Sequence, residues 1–172
     1  MKKILIAFSI AALLAGSAWA APAMTPLQLG FFGSQAQLFP AETSVMGLRL
    51  NVFCSDNQDV AGFDVGVVGR AARMSAIQVN LVNIVSEEFA GIGVGLFNDV
   101  NSLQGIQAGL FNTVAHDVSG FQIGLFNNAD SVSGIQVGLF NRTVSMQGLQ
   151  IGLINLITEG PITFFPIVNF AY

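Results

Sequence analysis

Charge is scarce in this 172-residue sequence: six Lys or Arg and ten Asp or Glu make up 9% of the chain, against about a quarter in an ordinary soluble domain. The acidic balance excludes a nucleic-acid surface, because phosphate binding needs clustered Lys and Arg. Cys54 is the only cysteine, so no internal disulfide forms. With His116 as the only histidine, Cys and His cannot supply the three or four ligands of a zinc site. Past residue 20 no apolar run approaches the length of a spanning helix, about 18 residues or more; a membrane could be crossed only by strands. Disorder is excluded as well, since it goes with low hydrophobicity and here 52% of residues are hydrophobic.

What is present begins with an export signature. Met1-Lys2-Lys3 is basic, Ile4 to Ala15 is apolar, and Ala18-Trp19-Ala20 is a small-x-small cleavage site. This pattern predicts a secretory signal peptide of bacterial type over 1–20, and one mature domain over 21–172. No cysteine stands directly after the cleavage site, so an N-terminal lipid anchor is not expected. Cleavage removes both lysines and the only tryptophan, and leaves four arginines against ten acids, a net charge of −6.

The mature region is one unit repeated. Its clearest copies are Gly105–Asn112, Gly120–Asn127, Gly134–Asn141 and Gly148–Asn155, each of the form Gly-x-Gln-x-Gly-Leu-(Phe/Ile)-Asn. Weaker copies start at Pro26, Gly47, Gly62, Ala76 and Gly91, and a last one ends at Asn169, giving ten repeats of 14 or 15 residues with no room for a second domain. Two glycines in eight residues disfavour a helix at about 1 kcal/mol each, whereas the alternation is that of a strand. It puts Ile, Val and Leu on one face and Gly, Gln, Gly and Phe on the other. Cys54 stands where its repeat should close on Asn. The 15- and 14-residue steps alternate over the first six intervals, as expected if successive strands run up and down between two rims.

The fold class is therefore all-β, in one of two architectures. The leading expectation is an antiparallel closed β-barrel of ten strands, an even number as bacterial outer-membrane barrels require. Its interior would be filled with Gly, Gln and Phe. The alternating Phe164, Val168, Phe170 and Tyr172 would form a terminal strand ending in an aromatic residue, with Pro166 interrupting it. Against the barrel stand the missing Trp/Tyr girdles. The alternative is a parallel β-solenoid with one repeat per coil. Identical residues would then stack in an Asn ladder (Asn83, Asn98, Asn112, Asn127, Asn141, Asn155, Asn169) and a Gln ladder (Gln78, Gln107, Gln122, Gln136, Gln150). Stacking would pair Arg49 with Asp64, absorb the fifteenth residue at a corner, and leave a column of Phe in water.

The Gly-x-Gln-x-Gly-Leu-Phe-Asn units and the ending Pro161-Ile-Thr-Phe-Phe-Pro-Ile-Val-Asn-Phe170 resemble a family of bacterial surface-repeat proteins known from spirochaetes and other Gram-negative groups. The likeness covers about residues 26–172. It implies an exported, envelope-associated protein and supplies no substrate or catalytic residue. The chain departs from the pattern at Arg49, Asp64 and Gly69.

Catalytic chemistry is poorly provided for. His116 sits beside Asp117 in a polar connector without a nucleophile elbow, and Gly91-Ile-Gly-Val-Gly-Leu96 lacks the helix a dinucleotide site needs. If the long connectors share a rim, Asp56, Asp59, Glu87, Glu88 and Asp117 form a loose acidic ring, for which the preferred reading is a solvated edge and the sharper one weak Ca²⁺ binding. Asn141-Arg-Thr143 matches a glycosylation sequon that a bacterial-type export signal makes irrelevant. No catalytic, cofactor or metal residue is assigned. The expected function is a non-enzymatic structural protein of the outer membrane or cell surface in contact with membrane lipid, without a nucleic-acid or small-molecule partner. The alternative is a secreted or periplasmic solenoid acting as a binding or surface-display module.

Overall fold

The computed structural model describes residues 23–172; the expected export segment lies outside them. Strands run over β1 (Met24–Phe32), β2 (Ser44–Val94), β3 (Phe97–Val114), β4 (Asp117–Val137), β5 (Phe140–Ile157) and β6 (Phe164–Ala171), and no helix occurs among the described residues. Sheet order follows chain order, with β1 to β5 joined by parallel pairing. The register is one repeat: Asn83 lies beside Asn98, Asn112 beside Asn127, and Asn127 beside Asn141. Each repeat is thus one coil of a parallel β-solenoid.

The antiparallel barrel is therefore incorrect and the alternative architecture holds. The reason is that only parallel stacking at a fixed offset sets every amide against its own kind. An antiparallel meander would place each Asn opposite a different residue and leave its side chain to find a new partner at every level.

One coil shows how the sequence makes its turns. Leu103 and Gln107 are buried, with Gly105 and Gly109 on the same inward side, while Ile106 and Leu110 point out. Leu110 and Phe111 then both face out, and this break in alternation is the first corner. Asn112 and Val114 point in along the second wall, and the exposed Ala115-His-Asp117 makes the second corner. The connectors consequently share one edge of the stack rather than two opposite rims. Their unequal lengths are absorbed there: Val85 pairs with Val100 at an offset of 15, and Glu88 with Ser102 at an offset of 14. Phe occupies the outer side of the corner, as the solenoid reading expected, and not the interior where the barrel would have placed it. Phe97, Phe111 and Phe126 stack nearly parallel at centroid distances of 5.0 and 5.1 Å.

Two apolar columns line the interior. Val60, Met74, Phe89, Leu103, Val118 and Val132 form one, and Ala71, Val85, Val100, Val114 and Ala129 the other, which continues through the buried Thr143 to Ile157. Two close approaches explain the glycines, one between coils and one between walls. At Gly120 φ is +139°, and a Cβ would strike the carbonyl oxygen of Gly105, its pairing partner one coil below in the same wall. At Gly124 it would meet the amide groups of Asn112 (2.6 Å) and Asn127 (3.1 Å).

Both ends are closed by segments that turn back. At the first, residues 33–43 fold over β1: Leu38 N–H donates to Leu29 O (2.8 Å), and the Gln28 side chain clamps the Phe39 backbone through bonds of 2.8 and 2.9 Å. At the last, β6 runs antiparallel to β5, with Phe170 beside Leu149 and Val168 beside Ile151. The tenth repeat thus does not form a coil. Pro161 follows the turn after β5, and the chain reverses. Pro166, which has no N–H to donate, falls where the β5–β6 register shifts.

Replacing Gly120 by Ala is expected to lower unfolding free energy by about 1–3 kcal/mol for backbone strain alone. Ser119→Ala, on the exposed side of the same strand, should stay within about 0.5 kcal/mol. Urea denaturation of the two variants checks the contrast.

Candidate functional site: a polar spine behind an apolar wall

The interior of the stack is polar along one seam. The Nδ2 of Asn83 donates to Oδ1 of Asn98 (2.6 Å), and the pattern repeats through Asn112, Asn127, Asn141 and Asn155 at 2.7–2.8 Å. Each Nδ2 also donates to a main-chain carbonyl, as Asn112 does to Ile123 O (2.9 Å). Because a carbonyl only accepts, this second bond fixes which end of the amide points onward. The expected Asn ladder is therefore present from Asn83 to Asn155. Asn169 is outside it; its Nδ2 donates to Ile162 O within the reversed ending.

The Gln ladder runs the other way. Gln150, Gln136 and Gln122 each donate Nε2 back to the preceding glutamine, at 2.8, 2.7 and 3.1 Å. The two amide columns are oppositely polarised, so their dipoles largely cancel along the stack. Gln78 does not join it. The position between Gln78 and Gln107 is Gly93, and the Phe89 ring fills the space, 3.3 Å from where a Gly93 Cβ would lie. The ladder stops there with Gln107 Nε2 buried and unpartnered, as is Gln150 Oε1 at the other end.

Below Phe89 the seam becomes ionic. Arg49 donates Nε and Nη2 to the two carboxylate oxygens of Asp64 at 2.8 and 2.9 Å, both side chains fully buried. Its Nη1 donates to Arg70 O (2.7 Å). Asp64 accepts three further bonds, from Asn51 (2.6 Å), Gln78 (2.9 Å) and Asn80 (2.8 Å). Asn80 also donates to Asn83 Oδ1 (2.9 Å), which joins the ionic cluster to the amide ladder. Gly69, where the repeat should carry Asn, leaves the room: a Cβ there would meet Asp64, Asn80 and Gln78. The departures at Arg49, Asp64 and Gly69 are thus one compensated arrangement. Burial pushes the Asp64 carboxyl up, but hydrogen bonds and charge from Arg49, with bonds from Asn80 and Asn51, outweigh it and hold the group below its ordinary 3.8.

The remaining sequence candidates are dispersed. Ser55, fully buried, rather than the half-buried Cys54, occupies the inward ladder position. The Cys54 Sγ lies 3.8 Å from Ser55 O. The acidic ring does not assemble. Asp59 and Glu87 bracket Arg73 at 2.7 and 3.0 Å on the exposed edge, Glu88 sits beside Ser102, and Asp56 N–H donates to the Gln37 side chain (3.1 Å). No group of three or more His, Cys, Asp or Glu placed to hold a metal occurs among the described residues. His116 is exposed at a corner, its main chain bonded to Asn101 and Ser131.

The outer wall is the feature that sequence reading undervalued. Opposite the inward Gln and Gly, three outward columns rise from β1 to the last coil. One runs Leu27, Leu48, Phe63, Ile77, Ile92, Ile106, Phe121, Ile135, Leu149, and the antiparallel β6 adds Phe170 beside Leu149. The second runs from Leu29 through Val65, Val94 and Ile123 to Ile151 and Val168; the third from Phe31 through Leu81, Leu96, Leu125 and Leu139 to Leu153. Every member is apolar, and most are exposed, Leu125 at 41% and Leu153 at 66%. The exposed charged side chains lie instead on the second wall, the corners and the loops. A groove lined by Ala108, Leu110, Ile123, Leu125, Val137 and Leu139 runs along this wall between the second and third columns. Comparison of the chain with protein-family models, curated proteins and solved structures finds no match.

Two outcomes test the seam. Arg49→Met and Asp64→Asn should each lower stability by about 3–5 kcal/mol, since either strands a buried polar or charged partner. Combining Arg49→Met with Asp64→Leu should cost far less than the sum, a coupling of at least about 2 kcal/mol in urea-denaturation cycles. Because the folded-state pKa of Asp64 is depressed, its contribution is present above the unfolded value of 3.8 and is lost as pH falls through the lower folded value, so the coupling should hold at neutral pH and shrink only below 3.8. Gly93→Gln alone should collide with the Phe89 ring and destabilise by about 1–3 kcal/mol. Adding Phe89→Leu should recover most of that loss, because the new amide can then accept from Gln107.

Proposed function

We propose that this protein is an exported, non-catalytic β-solenoid of the bacterial envelope that works as an interaction and surface-display module through its apolar wall. The observation that carries this reading is the continuous, uncharged outer face from Leu27 to Phe170. Monomeric soluble proteins rarely expose contiguous apolar patches beyond a few hundred Å², so a face of this extent has a partner. Export is supported by the Met1–Ala20 pattern, and an envelope setting by the resemblance to surface-repeat proteins.

Fractionation of the producing cells tests the reading. The protein should be recovered cleaved, in the periplasm or envelope, and should show the same gel mobility with and without heating. Retention in the cytosol would sink the export half, and heat-modifiable mobility typical of a membrane barrel would sink the module half.

A further inference from the structure

The apolar wall poses the question of what covers it. We propose that its occupant is a second copy of this chain, docked face to face about a twofold axis. This deepens the module reading above and rests on it.

Size is the first argument. Strands at about 4.8 Å spacing, with ten side chains in the column ending at Phe170, make a wall about 48 Å long, and five residues along each strand make it about 17 Å wide. That is roughly 800 Å² per copy, the area a standard stable interface buries on each partner. Chemistry is the second. The wall carries no charged side chain, so burying it against its own image leaves no ion unpaired, and an isologous contact requires such self-compatibility. Shape is the third. Two sheets packed about 10 Å apart interdigitate their side chains, and the groove between Ile123 and Leu125 offers each copy a channel for a column of the other.

Charge argues against a lipid surface. Elements that lie on membranes carry Lys and Arg beside the apolar face and often Trp within it. Residues 23–172 contain no Lys, no Trp and four Arg; of these Arg49 is buried on Asp64 and Arg73 lies between Asp59 and Glu87. The surface left over is acidic and is repelled by anionic headgroups. End-to-end growth is blocked, because both ends of the stack are covered by reversed segments. The face is the open contact, and it closes after two copies.

Sedimentation velocity of the exported protein, purified without detergent at micromolar concentration, tests the proposal. The expected species has twice the chain mass. Leu125→Glu, outward-facing and remote from the polar seam, should weaken self-association about 100-fold by placing a carboxylate in the contact, with an unchanged far-ultraviolet dichroism spectrum. Ala108→Glu, a second site on the wall, should do the same if Leu125→Glu fails to fold, while Thr113→Glu on the opposite wall should leave the dimer intact. A wild-type monomer, or a dimer that survives both wall substitutions, overturns the proposal. So does conversion of the dimer to a vesicle-bound monomer on adding phosphatidylcholine vesicles. A monomer recovered from the envelope would overturn the dimer while leaving the module reading standing; a dimer confined to the cytosol would do the reverse.

Discussion

Register between stacked coils is the constraint from which the rest of this molecule follows. Parallel strands repeat at about 4.8 Å, so a residue at one level is held against its equivalent at the next, and whatever a column contains must be compatible with itself. Asn satisfies that condition by donating along the column and accepting from behind. Phe satisfies it by stacking. Glycine satisfies it where the backbone of the coil below lies so close that a Cβ would enter its carbonyl. A like charge does not, and the one ionic column of the interior alternates sign, Arg49 then Asp64.

The thinness of the coil explains why so small an interior is so polar. With 14 or 15 residues per turn the two walls leave space for one amide layer and two narrow apolar columns. A bulkier group enters only where another residue gives way, as the Phe89 ring does over Gly93 and the ionic Asp64 cluster over Gly69. These exchanges conserve volume across positions that are distant in sequence but adjacent in the stack. Phe89 also divides the seam into an ionic part near the first coils and a neutral amide part toward the last, which keeps the Arg49–Asp64 charge pair away from the bare end of the Gln ladder.

Placing polarity inside has a consequence outside. The alternation that turns Gln and Gly inward turns Ile, Val and Leu outward on the same strand, so the repeat builds a polar spine and an apolar wall together. The low charge of the composition belongs to that wall, whereas the exposed acids and arginines are confined to corners, loops and the second wall. An apolar sheet face at the surface, rather than a buried apolar core, is what sets this protein apart from an ordinary soluble domain.

Much of this was legible in the residues. The period of 14 or 15, the strand alternation, the stacking of Asn and Gln and the pairing of Arg49 with Asp64 can all be read from spacing. So can the absorption of the odd residue at a corner. Three things could not be. The direction of successive strands is invisible to a repeat, because parallel coils and antiparallel hairpins share the same alternation; only the offset of one repeat between paired residues separates them. The side taken by Phe hung on that same choice, since the barrel put it inside and the solenoid put it in water; the broken alternation at Leu110-Phe111 turns it out at a corner. The fate of the last repeat depended on Pro161 and the reversal into β6, which covers a bare edge instead of extending it. The sequence by itself determined the columns, since a column is only a period; tertiary structure decided which columns face in, because that follows from where the chain turns and how closely its walls can approach.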